Sequence, residues 1–115
     1  MSKSVNYILK SSNKLIKQSK DRYNKFLEKF DKLPTSTQNY DDIQYHYHCV
    51  CVDVNKFLKE LNEYIDKLNE SINKNNDIPI GVIKHFHKIC ILNGNIQSSI
   101  DYGSRAIFDI LEYIN

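Results

Sequence analysis

The chain has 115 residues, of which 26% are charged and 41% are hydrophobic, and its formal net charge is +2. This length provides one modest hydrophobic core, so we expect a single domain over residues 1–115. No apolar run approaches the roughly 18 residues of a membrane-spanning helix, and the first residues lack the apolar block of a secretory signal. We therefore expect an intracellular, cytoplasmic protein whose three cysteines are reduced thiols.

The first predicted helix spans about residues 4–33. Its apolar residues recur on one stripe at helical spacing, and Pro34 ends the pattern. Ser12 and Ser19 interrupt the stripe, so we expect its second half to bury more apolar surface. The stripe consists of Val5, Ile8, Leu9, Leu15, Ile16, Tyr23, Phe26, Leu27, Phe30 and Leu33.

The second predicted helix spans about residues 38–73. A Ser or Thr of residues 35–37 is expected to cap it, and Asp41 and Asp42 suit the positive end of the helix dipole. Its apolar residues alternate spacings of four and three, a heptad pattern typical of long helices packed side by side. They are Ile43, Tyr47, Val50, Val54, Phe57, Leu61, Tyr64 and Leu68. The polar segment 73–79, closed by a proline, is the predicted loop.

The third predicted helix spans about residues 80–114 and continues the heptad pattern. Asn93, Gly94 and Asn95 are residues typical of a turn, and a glycine inside a helix costs about 1 kcal/mol relative to alanine. The heptad phase nevertheless passes through them unchanged. The pattern favours an all-α antiparallel three-helix bundle with long helices. The alternative is a four-helix bundle whose third helix is broken at 93–95, near Gly94.

Two groups of histidines and cysteines are candidate metal ligands, since zinc prefers these side chains. One contains His46, His48, Cys49 and Cys51, and the other contains His85, His87 and Cys90. Antiparallel pairing about Asn76 sets His46 level with Ala106 and Cys90 level with Asn62. The two groups then lie about 20 Å apart along the axis. We therefore predict no metal site, no cofactor site, no catalytic residue and no enzymatic activity.

Charge is unevenly distributed along the chain. Residues 1–33 carry nine basic and three acidic side chains, a net charge of +6, whereas residues 34–115 carry seven and eleven, a net charge of −4. A lysine-rich face is predicted on the first helix, and such a face either binds the phosphates of nucleic acid or of an acidic membrane or simply solvates the bundle. Its residues are Lys3, Lys10, Lys14, Lys17 and Lys20.

A group of apolar residues lies off the heptad seam. Tyr45, Cys49 and Val52 share a face of the second helix at spacings of four and three, and Phe108 is level with residue 44 in the antiparallel pairing. These four residues form either a surface for a protein partner or homo-oligomer, or a buried layer of the four-helix alternative. We expect a non-enzymatic protein–protein interaction module, a small adaptor or subunit that acts through a helix face, with no small-molecule substrate. The alternative function is binding of an anionic surface through the lysines of the first helix.

Overall fold

A computed structural model describes residues 3–74 and 80–114 as three helices: α1 Lys3–Phe30, α2 Tyr40–Lys74 and α3 Ile80–Ile114. α2 and α3 are antiparallel, and α1 lies against both of them, parallel to α3. The molecule measures 58 × 20 × 18 Å. The predicted all-α three-helix bundle is confirmed.

The turn between α1 and α2 differs in detail from the prediction. α1 ends at Phe30 rather than near residue 33, because Pro34 has no N–H to donate to the Phe30 carbonyl and disfavours helical geometry at Leu33. α2 begins at Tyr40, immediately after Asn39, whose φ of 59° is left-handed. The Asn39 carbonyl accepts the first helical hydrogen bond from the Ile43 N–H at 3.1 Å. Asn39 therefore stands at the helix start, where a Ser or Thr cap was expected.

α3 is one continuous helix through the expected turn residues. Gly94 is exposed there, and Asn93 is anchored because its side-chain oxygen accepts hydrogen bonds from the Ser19 hydroxyl and, at 3.4 Å, from the Gln97 amide. The four-helix alternative, with a break at 93–95, is therefore wrong. The predicted loop, residues 73–79, falls largely outside the described residues.

The heptad seams of α2 and α3 form the centre of the core. Val54, Leu61, Ile89, Ile96 and Ile107 are fully buried. The expected register is also found, because Ser71 lies beside Gly81 and Val50 lies beside Gly103. None of the helices, over residues 3–74 and 80–114, carries an apolar stretch long enough to cross a lipid bilayer.

The two halves of α1 pack on the α2–α3 pair with side chains of different size and polarity. Toward its end, the Phe26 ring stacks on Tyr47 of α2 at 5.5 Å, and the Phe30 ring meets Phe108 of α3 edge-on at 5.6 Å. Earlier in the helix, the buried stripe includes Ser12 and Ser19. As expected, the second half of α1 contributes more large apolar side chains to the core.

Candidate functional site

A concave surface runs between α2 and α3, and we call it the α2–α3 groove. Its volume is about 570 Å³. Tyr45 and Tyr102 stand on its two rims, with 66% and 78% of their surfaces exposed. The groove is lined by Tyr45, His46, Cys49, Val50, Asp53, Ser98, Ser99, Tyr102 and Gly103.

The α2–α3 groove opens on the side of the helix pair opposite to α1. Successive helical residues turn by about 100°, so Tyr45, in the groove, points about 160° away from Tyr47, which α1 covers. Likewise, Asp101 of α3 faces Arg22 of α1, whereas Tyr102 turns toward the groove. α1 therefore covers one side of the pair and leaves the other side open.

The structure divides the four residues expected to form one apolar patch. Tyr45 and Cys49 lie together in the α2–α3 groove. Val52, 52% exposed, follows one turn later on the outer face of α2. Phe108 lies on the opposite side of the pair, where it contacts Phe30 and the Lys29 ammonium stands 4.2 Å from its ring centroid. Phe108 is thus at the predicted level of the bundle but on the side that packs against α1.

Sequence reasoning missed the α3 side of the groove. Tyr102, Ser98 and Ser99 were not singled out, because small polar residues give no hydrophobic signal. Two signals were available: residues 89–100 include no charged side chain, and the antiparallel pairing sets Tyr102 level with Val50. Together, these two features of the sequence indicate an unusually uncharged outer surface on α3.

Tyr45 and Cys49 are neighbours within the groove. A hydrogen bond with Cys49 raises the pKa of the Tyr45 phenol, and the charge of Cys49 and burial act in the same direction. The Tyr45 ring also meets the His46 ring edge-on at 5.5 Å. The phenol therefore stays neutral at physiological pH and offers a hydrogen-bond donor at the rim.

A second group of titratable side chains lies where α1 meets α2. The pKa of Tyr47 is raised to about 12, chiefly by burial of the side chain. The charges of Cys51 and Asp31 act in the same direction. Burial and a hydrogen bond with Cys51 also raise the pKa of Tyr23. The Tyr47 hydroxyl donates to Asp31 Oδ1 at 3.5 Å. Both phenols stay protonated at physiological pH and serve as polar contacts within the packing.

The histidines and cysteines remain in the two separate groups expected from the sequence. His46 belongs to the α2–α3 groove, while His85 contacts the Tyr64 ring at 6.0 Å toward the other end of the pair. Cys90 is exposed as a residue, but partial burial of its thiol raises the thiol pKa. Cys49 and Cys51 are half-buried. Within residues 3–74 and 80–114, no three His, Cys, Asp or Glu side chains come together as a metal site would require.

The five lysines predicted to bind anions all lie on the exposed face of α1. Each of Lys3, Lys10, Lys14, Lys17 and Lys20 is solvent-exposed. The one ion pair among the described residues joins Arg22 to Asp101 at 4.0 Å, so no carboxylate of that part of the chain neutralises these five lysines. Tyr7, 68% exposed, lies on the same stripe between Lys3 and Lys10.

The α2–α3 groove supplies three kinds of contact for another molecule. Its rims are aromatic, its floor holds the small residues Cys49, Ser99 and Gly103, and Asp53 adds one charge. Small floor residues let another backbone approach closely, and tyrosines bury much surface while keeping a polar tip.

Comparisons with protein-family models, curated proteins and solved structures find no match to this chain.

Proposed function

We propose that this chain is a non-enzymatic protein–protein interaction module that binds a helix of a partner along the α2–α3 groove. The observation that carries the proposal is the pair of exposed tyrosines, Tyr45 and Tyr102, on either rim of a groove with a small-residue floor. Exposed aromatic side chains beside a concave surface are typical of the residues that dominate protein interfaces.

The dimensions of a helix pair favour a helical partner. Packed helices lie 8–10 Å apart, and small residues at the contact permit the shorter spacing. α1 already occupies one side of the α2–α3 pair. A partner helix on the other side would bury Cys49, Tyr102 and the half-buried Ser99 in a fourth-helix position. Each tyrosine would add contact area and a hydrogen bond from its hydroxyl.

The composition of α3 supports the same side of the molecule. A helix face that only meets water is usually charged, as on the outer face of α2, where Lys59 and Asp66 are exposed. Residues 89–100 of α3 include no charge, and Ile91 within them is 41% exposed. Burial of this uncharged surface under a partner requires no removal of a charge from water.

The experiment compares two exposed tyrosines, Tyr102 and Tyr7. Tyr102→Glu places a charge at the groove, whereas Tyr7→Glu places the same charge on α1. Both variants and the wild type serve as bait in extracts of the organism that encodes the chain, and the captured protein is then purified for calorimetry. We expect Tyr102→Glu to weaken the affinity at least tenfold and Tyr7→Glu to leave it unchanged. Equal affinities for all three baits would refute the proposal.

A second candidate function is binding of an anionic surface by the lysine-rich face of α1. It is favoured by one observation: all five lysines are exposed, and no carboxylate of the described residues pairs with them. Lysine side chains that neutralise phosphates release counterions, so such binding weakens steeply with salt.

The test of the second candidate uses duplex DNA and vesicles that contain an acidic lipid, each between 50 and 200 mM salt. Lys10→Glu with Lys17→Glu is expected to abolish binding, whereas the matched pair Lys56→Glu with Lys59→Glu, on α2, is expected to retain it. Binding that is insensitive to salt, or equal losses in both double variants, would refute this function.

A further inference from the structure

We infer that the partner covering the open side of the α2–α3 pair is a second copy of this chain, docked antiparallel to the first. This inference rests on the proposed function, because it names the partner of the same surface. Two observations support it: the distribution of charge along that side of the molecule and the area of that side.

The open side continues along the whole helix pair beyond the groove. Eighteen residues make five helical turns, so Lys84 points in the same direction as Tyr102, and Lys67 points in the same direction as Cys49. The Lys67 ammonium lies 4.5 Å from the Tyr64 ring centroid, and Lys84 lines a shallow surface depression with Tyr64. The groove and these lysines therefore belong to one continuous face, which we call the open face.

The two ends of the open face have opposite charge. At the groove end, the exposed carboxylates exceed the one basic side chain at the edge. These residues are Asp42, Asp53, Asp109 and Arg105. At the other end, four lysines exceed three glutamates. These residues are Lys67, Lys74, Lys84, Lys88, Glu60, Glu63 and Glu70. The open face thus changes from net negative to net positive along its length.

A twofold axis that lies in the plane of the contact, perpendicular to the helices, makes this distribution self-complementary. It places the acidic end of each copy on the basic end of the other, whereas a parallel arrangement would set like charges together. The axis passes near the level of Ile96, within the uncharged segment 89–100. The uncharged segment of α3 therefore lies at the centre of the contact.

The size of the open face is sufficient for a stable dimer. A molecule of 58 × 20 × 18 Å offers on this side an area of about 1,000 Å², and standard interfaces bury about 800 Å² on each partner. The contact is symmetric, so each copy contributes Tyr45 and Tyr102 once. A short helix of another protein would cover the groove but leave the lysine end without a partner.

The first measurement is molar mass by light scattering across a hundredfold range of concentration. We expect twice the 13.6 kDa of one chain for the wild type and for Tyr7→Glu, and a dissociation constant at least tenfold higher for Tyr102→Glu. Circular dichroism verifies that each variant retains its helices.

The second measurement tests the orientation by charge reversal. Lys67→Glu with Lys84→Glu makes both ends of the open face acidic and should weaken the dimer at least tenfold. Addition of Asp53→Lys and Asp109→Lys reverses the polarity and should restore the dimer. The matched control, Lys10→Glu with Lys14→Glu, makes the same change in charge on α1 and should leave the dimer intact.

The outcomes separate this inference from the proposed function. A monomer at every concentration would overturn the second copy as partner, while the proposed function would stand if Tyr102→Glu still weakened capture of another protein. A dimer insensitive to Tyr102→Glu would overturn the inference, and unchanged capture by that variant would overturn the proposed function as well. A quadruple variant that fails to regain the dimer would overturn the antiparallel arrangement.

Discussion

Gly103 of α3 lies directly against the side chain of Val50 of α2. A Cβ added to Gly103 would overlap the Val50 methyl group, and the backbone carbonyl of His46 stands 4.0 Å from the same position. The glycine thus sets how closely the two helices approach at the groove floor. This contact also fixes the antiparallel register at that level of the pair.

Gly103→Ala is expected to lower the free energy of unfolding by about 1–3 kcal/mol, because the added methyl group has no space between the helices. Val50→Ala in the same background removes the overlapping methyl groups and should recover part of that loss. Urea denaturation of the two single variants and the double variant gives the coupling free energy. Strictly additive losses would show that the two side chains do not compete for the space.

Gly94→Ala is expected to raise the free energy of unfolding by about 0.5–1 kcal/mol. The position is exposed and helical, and a Cβ there would meet no atom of the described residues within 4 Å. Alanine restricts the unfolded chain more than glycine and introduces no clash in the helix. Thermal denaturation followed by circular dichroism checks the expected rise in melting temperature. An unchanged or lower melting temperature would contradict a continuous, unstrained α3.

Ser12→Ala and Ser19→Ala are expected to differ although both hydroxyls are buried in α1. The Ser19 hydroxyl donates to Asn93 Oδ1, so its removal should lower the free energy of unfolding by about 1–2 kcal/mol. The Ser12 hydroxyl has no hydrogen-bond partner among the described residues, so its removal should leave stability unchanged or raise it by about 1 kcal/mol. Parallel urea titrations compare the two variants. Equal losses would refute the assigned hydrogen-bond pattern.

Stability is expected to fall as the pH rises from about 10 toward 12. A tyrosine in an unfolded chain has a pKa near 10, whereas that of Tyr47 is raised to about 12. Above pH 10 the unfolded state therefore binds fewer protons than the folded state, which favours unfolding. The stabilising effect of Tyr47 is complete below pH 10.

Tyr47→Phe removes this titrating group and should reduce the slope of stability against pH in that range. Part of the slope should persist, because burial also raises the pKa of Tyr23. Urea midpoints measured at half-unit pH intervals check both statements. Identical slopes for wild type and variant would contradict the raised pKa of Tyr47.

The architecture was predictable because it depends on a repeating pattern. Residues such as Val54, Leu61 and Ile96 recur at heptad spacing, and that spacing defines which face is buried. The position of the predicted loop, residues 73–79, defines how α2 pairs with α3. The heptad phase through Gly94 also predicted a continuous α3 against the local turn signal. Packing along the seam outweighs the propensity of a single glycine.

The candidate site was predictable only in part, because it depends on where α1 lies. The sequence identified Tyr45 and Cys49 as residues off the seam, but their grouping with Phe108 required knowledge of which side α1 covers. Phe108 packs on Phe30, a contact between residues far apart in sequence that no local pattern encodes. Asn39 shows the same limit of prediction from sequence for residues close together in the chain, since its left-handed backbone is a property of the whole turn.

The unequal packing of α1 implies an order of opening for the molecule. α2 and α3 contact each other far more extensively than α1 contacts either, and the first half of α1 is held through Ser12 and Ser19 rather than large apolar side chains. Local opening requires least free energy where the fewest apolar contacts are lost. Backbone amides of α1 before Tyr23 should therefore exchange with deuterium first, while the α2–α3 pair retains its protons longest.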